Sequence, residues 1–259
     1  YATLLLKELP DGVLLVMLNR PEVANAFNTQ AAVDLCAVFA RLGDGPQRRC
    51  VVLTGAGEKA FCAGGDLKER NSLDDEQWRA QHEIFERMFR AVRDCPVPVI
   101  AAVNGAAYAG GLELLLLCDF AYASKNAKFA LTEVALGIMP GGGGTQTLPR
   151  AIGERRAKEL ILAARPFSAE EALAWGVVNK LCDPGEVLRE TLATASRISS
   201  NAPLSVRQAK HAIRLGLQME LAPAMQFEIE LYDRLVGTED RREGIRAFNE
   251  KRKPNFKGC

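Results

Sequence analysis

Two glutamates stand in apolar company. Glu113 lies in Gly110-Gly111-Leu112-Glu113-Leu114-Leu115-Leu116-Leu117, and Glu133 in Phe129-Ala130-Leu131-Thr132-Glu133-Val134-Ala135-Leu136. Most other acids sit in charged runs such as Asp74-Asp75-Glu76. Burial disfavours the charged form of a carboxyl and raises its pKa. A glutamate so placed can hold or release a proton near neutral pH, and two of them can act as acid and base on one substrate. Each could equally be a structural acid bonded to backbone or to an arginine, and the spacing alone does not bring the two together. Glycine pairs add a second element. Gly64-Gly65 and Gly110-Gly111 let backbone N–H groups approach a ligand closely. Gly110 precedes an expected helix, whose dipole would reinforce its amide. Two such amides aimed at one oxygen form an oxyanion hole, in which one donor is worth ~10²–10³-fold in rate. The same glycines would also serve as tight turns at helix entries.

Other chemistries find less support. The chain has two histidines, His82 and His211, both in predicted helices among charged residues. They read as surface residues, which leaves no basis for a histidine triad or a zinc cluster. Neither G-x-S-x-G nor a Walker-type loop occurs. Gly55-Ala56-Gly57-Glu58-Lys59-Ala60 fits a dinucleotide fingerprint, but that motif must open directly into a helix, and here the chain continues into Phe61-Cys62-Ala63-Gly64-Gly65-Asp66. The seven cysteines are odd in number and include no C-x-x-C, as expected of free thiols in a reducing compartment. Cys62 reads as a small buried thiol rather than a nucleophile. A net charge of +1 supplies no long-range attraction for nucleic acid or an anionic membrane, so an anionic ligand needs a local group. The apolar run 114–117 is far short of the ~20 residues that cross a bilayer. Residues 1–10 lack a signal-peptide pattern. A cytoplasmic location is expected, or the mitochondrial matrix if a transit peptide precedes the chain.

Alternating strands and helices must position these groups. Strands are expected at 3–7 and 12–18 around Pro10-Asp11-Gly12, at 49–54, 97–103, near 119–123 and near 128–131. A helix capped by Asn28 or Thr29 runs to about Leu42. A second, capped by Ser72, spans about 73–94 with Asp74, Asp75 and Glu76 in its first turn. A glycine-rich loop covers 55–66, Asn104-Gly105 is a turn, and a short helix starts near Gly110. Beyond Gly144 helices dominate, at about 145–152, 155–164, 169–175, 185–199, 204–216, 222–236 and 239–251. The class is α/β with a helical C-terminal third suited to packing on another subunit.

Ordered motifs identify a family. Asn19-Arg20-Pro21 with Asn25-Ala26 comes first, then Ala60-Phe61-Cys62-Ala63-Gly64-Gly65-Asp66-Leu67-Lys68-Glu69. Pro96-Val97-Pro98-Val99-Ile100-Ala101-Ala102-Val103-Asn104-Gly105 and Ala109-Gly110-Gly111-Leu112-Glu113 follow. Glu133, Gly137-Ile138-Met139-Pro140-Gly141-Gly142-Gly143-Gly144-Thr145-Gln146 and Asp240-Arg241-Arg242-Glu243-Gly244 complete the series. Together they resemble the crotonase superfamily, the enoyl-CoA hydratase/isomerase family, over nearly the whole chain. The resemblance implies a ββα spiral core carrying the CoA and catalytic sites (1–199) and a C-terminal helical trimerisation region (200–259). It implies a homotrimer, commonly paired into a hexamer, acting on acyl-CoA. It places the thioester oxygen on the N–H groups of Gly65 and Gly110. CoA would lie against Ala63, Gly64, Gly65, Asp66, Leu67 and Lys68, with Lys68 meeting a phosphate. Lys253 and Phe256 would complete that site from the same or a neighbouring chain.

Hydratases of the family carry both glutamates. The implied reaction is therefore hydration of a 2-enoyl-CoA to a 3-hydroxyacyl-CoA in acyl degradation, with Glu113 taking a proton from water and Glu133 delivering one to C2. CoA is part of the substrate, and neither a metal nor another cofactor is implied. Two positions depart from the common pattern: Gly65, where alanine is frequent, and Ala109, where a third glycine is. Pro140–Gln146 with Leu148-Pro149-Arg150 is similar to methylglutaconyl-CoA hydratases, which keeps branched or carboxylated acyl groups in play. Some of those bind RNA, but Ala31-Ala32-Val33-Asp34 has no lysine stripe. The rival readings are an enoyl-CoA isomerase and a non-catalytic acyl-CoA-binding scaffold.

Overall fold

The apolar runs of the first half become the strands of a ββα spiral in the computed structural model, which describes residues 1–42 and 47–259. β1 (Leu4–Glu8) and β2 (Val13–Leu18) pair antiparallel. α1 (Thr29–Ala40) follows, and its cap is Asn28, which accepts the Ala31 N–H. A strand–strand–helix unit then repeats. β3 (Cys50–Gly55), β4 (Ala60–Cys62), the short α2 (Leu67–Arg70) and the long α3 (Asp75–Arg93) form one turn. β5 (Val99–Val103), β6 (Ala106–Tyr108) and α4 (Gly110–Leu116) form the next. β7 (Phe120–Ser124), β8 (Lys128–Ala130) and a 3₁₀ turn at Glu133–Leu136 form a third. α5 (Gly144–Ile152), α6 (Glu154–Leu162), β9 (Phe167–Ser168), α7 (Ala169–Trp175), β10 (Lys180–Cys182) and α8 (Val187–Ser199) come next, then α9 (Pro203–Gly216), α10 (Leu221–Val236) and α11 (Glu239–Asn249).

The first strand of each unit joins a six-stranded sheet, β1-β2-β3-β5-β7-β10, and the second joins a four-stranded sheet, β4-β6-β8-β9. Neighbouring units pair in parallel in both sheets. β3 and β5 are buried along their whole length, which is why they read as unbroken apolar runs rather than alternating ones. Their side chains divide with period two. Val51 and Leu53 face the main core beneath α1 and α3, while Cys50 and Val52 face Val187 and Ala195 of α8.

Two expectations are corrected. The long helix begins at Asp75, capped by Asp74 in a reciprocal box with Gln77, while the Ser72 hydroxyl donates to Glu69 O at the end of α2. The loop 55–66 contains β4; of the smaller sheet only β8 matches an expected strand, near 128–131, because β4, β6 and β9, at two or three residues each, are too short to show a period. The six cysteines other than Cys259 are buried or half-buried and none forms a disulfide among the described residues. Burial pushes the Cys62 thiol up to about 12, which removes it as a thiolate nucleophile. No helix among the described residues is long and apolar enough to cross a membrane.

Candidate active site

The glycine loops meet. Phe27 donates to Gly64 O at 2.8 Å and accepts the Asp66 N–H at 2.9 Å. This parallel bridge uses the groups flanking Gly65, so the Gly65 N–H points the other way, and no acceptor among the described residues takes it. Gly64 has φ 93°, and a Cβ there would lie 2.9 Å from Ala109 Cβ and 3.0 Å from Gly110 N. Glycine is therefore required on two counts. Gly110 begins α4, where an N–H has no intrahelical partner, and it too finds no acceptor among the described residues. A Cβ on Gly110 would stand 2.5 Å from Phe27 Cζ. Ala109, the residue before α4, sits at φ 49°, ψ −128°, a region disfavoured for any residue with a Cβ. It is held there by donation to Ala130 O at 2.8 Å and by accepting the Leu112 and Glu113 N–H groups.

Both glutamates are buried, at 3% and 6% exposure. Oε1 of Glu113, in the first turn of α4, accepts the N–H groups of Gly142 and Gly144, each at 2.8 Å. The glycine run is demanded by this cradle. A Cβ at Gly144 would lie 3.0 Å from Glu113 Oε1, and one at Gly142 would lie 2.3 Å from Phe89 Cε2. Burial pushes the Glu113 pKa up, while the two amides pull it back toward the charged form. Glu133 opens the 3₁₀ turn, and its Oε2 is buried with no partner among the described residues. Burial raises its pKa to about 7, and the neighbouring Glu113 carboxylate adds to the rise. The two acids flagged by their surroundings thus lie within electrostatic range of each other, and neither pairs with a cation among the described residues. Burial raises the pKa of both carboxyls, but two amides favour the charged form of Glu113 while Glu133 stands near neutrality without them, a division suited to base and acid work.

An aromatic wall backs the site. Phe27 sits edge-on to Phe85 at 4.9 Å and to Phe89 at 5.8 Å. Cβ positions at Gly65, Gly110 and Gly142 all fall against these rings. Two polar side chains join this wall. His82, read as a surface residue, packs its ring on the glycine run: a Cβ at Gly141 would lie 2.7 Å from its Cε1. Arg70 lies beside Gly65, with its guanidinium over Trp78 and Phe85. The return of α3 onto α1 and the loop supplies the neighbours of Arg70.

The remaining predicted residues divide. The Asp66 carboxylate caps α2 through the Lys68 and Glu69 N–H groups and pairs with Arg20 at 2.9 Å. Burial opposes ionisation there, but the bonds from Arg20 and the two amides hold its pKa below the ordinary value. Its side chain thus orders the loop. The Ala63 N–H is taken by Ala24 O. Leu67 and Lys68 are exposed, and Lys68 joins no ion pair among the described residues. Lys253 and Phe256 lie elsewhere. The tail folds onto α11, where Asp240 accepts the Lys257 and Gly258 N–H groups, and Arg49 donates to Phe256 O at 2.7 Å. Arg49 precedes β3, whereas the loop toward Gly65 leaves the other end of that strand. Within one chain the tail is therefore held apart from Lys68.

Comparison with known proteins agrees with this geometry. The Enoyl-CoA hydratase/isomerase family matches over residues 8–259. A short-chain-enoyl-CoA hydratase of Clostridium acetobutylicum is 41% identical, covering 93% of this chain and 92% of its own. An (E)-benzylidenesuccinyl-CoA hydratase of Thauera aromatica is also 41% identical, covering 97% and 98%. The crystal structure of an enoyl-CoA hydratase from Bacillus anthracis superimposes with a TM-score of 0.97 at 42% identity, covering 99% of this chain and 100% of that one. With likeness of this extent in both sequence and spiral architecture, the chain belongs to the enoyl-CoA hydratase/isomerase family.

Proposed function

We propose that this protein is an enoyl-CoA hydratase, a hydro-lyase that adds water across the 2,3 double bond of an enoyl-CoA to give a 3-hydroxyacyl-CoA. The observation that carries the reading is the buried pair: Glu113 cradled by two amides, and Glu133 near neutrality with an unpartnered oxygen. Water held between them loses a proton to the Glu113 carboxylate as its oxygen bonds to C3. The double-bond electrons move toward the thioester oxygen, which receives the Gly65 and Gly110 N–H groups. Donors that are already fixed and unpaired stabilise this charge without reorganisation. Glu133, in its protonated form, gives its proton to C2, so one H and one OH have been added. The scheme calls for no metal or redox group.

CoA is read as lying along the Ala63–Lys68 loop, with exposed Lys68 toward a phosphate. Because the chain's own tail is held apart from that loop, Lys253 and Phe256 would serve the site of a neighbouring chain. Residues 200–259 suit an oligomerisation region. α10 exposes Leu221, Met225, Ile229, Tyr232 and Val236 at helical spacing, and a second copy is the occupant that this family reading supplies. The oligomer proposed is a homotrimer, paired into a hexamer, in the cytoplasm. Relatives at the same identity are named for short-chain and benzylidenesuccinyl thioesters, so overall likeness does not choose the acyl group.

Incubation with crotonyl-CoA tests the reading. Loss of the conjugated thioester absorbance with formation of 3-hydroxybutyryl-CoA is expected. Turnover of 3-enoyl-CoA to 2-enoyl-CoA without hydration would make the protein an isomerase, and tight acyl-CoA binding without turnover would make it a scaffold.

A further inference from the structure

Arg70 is built into the wall of the site with the forked end of its guanidinium free of hydrogen bonds among the described residues. Its Nε donates to Gln81 Oε1 at 3.0 Å. Gln81 is buried and is itself fixed by donating to Thr29 Oγ1 and Glu69 Oε2. The Trp78 and Phe85 rings lie 4.2 and 4.9 Å from the guanidinium carbon. Glu69, the neighbouring acid, accepts from Thr29 N–H and Gln81 and forms no ion pair with Arg70. The terminal nitrogens, Nη1 and Nη2, donate to no acceptor among the described residues. The guanidinium is therefore held by one edge and two ring faces, and its two-pronged end is left open.

Its place relative to the reacting atoms is defined. A Cβ at Gly65 would lie 3.7 Å from Arg70 Nε and 3.9 Å from Cζ. A Cβ stands roughly 2.5 Å from its own amide nitrogen, so the guanidinium carbon is within ~6.5 Å of the Gly65 N–H. The same wall continues through Phe85, Phe27 and Phe89 to Gly110 and to Gly142, the donor to Glu113. An acyl group lying between the amides and the two glutamates runs along this wall, and Arg70 stands at one end. A hydrocarbon chain gives nothing to a fixed, half-desolvated cation there and leaves its donors unpaired. A carboxylate matches the planar fork with two parallel charge-assisted bonds.

We infer that Arg70 determines acyl specificity and that the enoyl thioester this protein takes best carries a carboxylate on a short acyl chain. The inference rests on the hydratase reading. It is tested with two probes of similar length, 4-carboxybut-2-enoyl-CoA and the neutral hex-2-enoyl-CoA. Wild-type protein is expected to favour the carboxylated thioester in kcat/KM by ~10-fold or more. Arg70→Met should lower kcat/KM for that probe by ~10²-fold, the range for losing hydrogen bonds to a charged group, while keeping or raising it for the neutral one. Arg70→Lys, which retains charge but not the fork, should fall between. Turnover of the neutral probe reports that each variant is folded. A wild type indifferent to the carboxylate overturns the inference without reference to any variant. So does an equal loss on both probes in Arg70→Met, which would make Arg70 a structural or CoA-phosphate contact. If neither probe is hydrated by the wild type, the hydratase reading itself fails; if the neutral probe is preferred, only this inference does.

Discussion

Changing Glu133 to Gln tests the central pair through stability as well as rate. Burial lifts the Glu133 carboxyl from 4.5 to about 7. A carboxyl whose folded-state pKa lies above its unfolded value binds its proton more tightly in the folded protein. That contribution to stability is full below the unfolded value, near 4.5, and is lost as pH rises through about 7. The difference corresponds to about 3 kcal/mol, and at 6% exposure little of it is screened by solvent. Glutamine cannot titrate. The stability of Glu133→Gln relative to wild type should therefore climb by up to about 3 kcal/mol between pH 4.5 and pH 8.5. Urea unfolding of both proteins at the two pH values, at one protein concentration, measures it. Turnover of crotonyl-CoA should fall ~10²–10⁴-fold, the usual worth of a positioned proton donor. Wild-type hydration should also decline as pH passes upward through about 7, because Glu133 then loses the proton that C2 requires. A stability difference that does not change with pH would refute the reasoning, since Glu133 would not be an acid held near neutrality by burial.

Glu113→Gln should lower kcat by a similar ~10²–10⁴-fold with acyl-CoA binding retained, because an amide oxygen can still accept from Gly142 and Gly144; titration calorimetry with a saturated acyl-CoA checks the binding. The neighbouring glycines should differ sharply. Gly65→Ala places its Cβ 3.6–3.9 Å from Phe85 and Arg70, ordinary contact, and should keep kcat/KM within about threefold, as expected where no donor is lost. Gly64→Ala meets a φ of 93° and Ala109 Cβ at 2.9 Å, so a loss of about 2 kcal/mol or more is expected, read as a lower unfolding midpoint. Ala109→Gly should raise stability by about 1 kcal/mol, since relief at φ 49°, ψ −128° exceeds the added flexibility of the unfolded chain. Ile229→Glu puts a charge on the exposed face of α10 and should shift the mass in light scattering toward monomer.

Much of this was written in local sequence. Period and caps set α1 behind Asn28, α7 behind Ser168 and α11 behind Thr238, because such signals act within a few residues. The glycine runs and the two glutamates in apolar surroundings marked the chemistry for a similar reason: burial and close backbone approach depend on residue type. The family motifs gave the spiral its expected form, even though β4, β6 and β9 of the smaller sheet were too short to read. Tertiary structure decided the rest. Glu113 and Glu133 are twenty positions apart with two strands between them, and only the spiral brings them within electrostatic range and drives Glu133 toward neutrality. It also turned the Gly141–Gly144 run into the cradle of Glu113, laid the half-exposed His82 ring against that run, and set Arg70 against Gly65. Charge, burial and hydrogen-bond supply at an atom depend on groups far away in the chain, and those come into range only when the turns of the spiral stack.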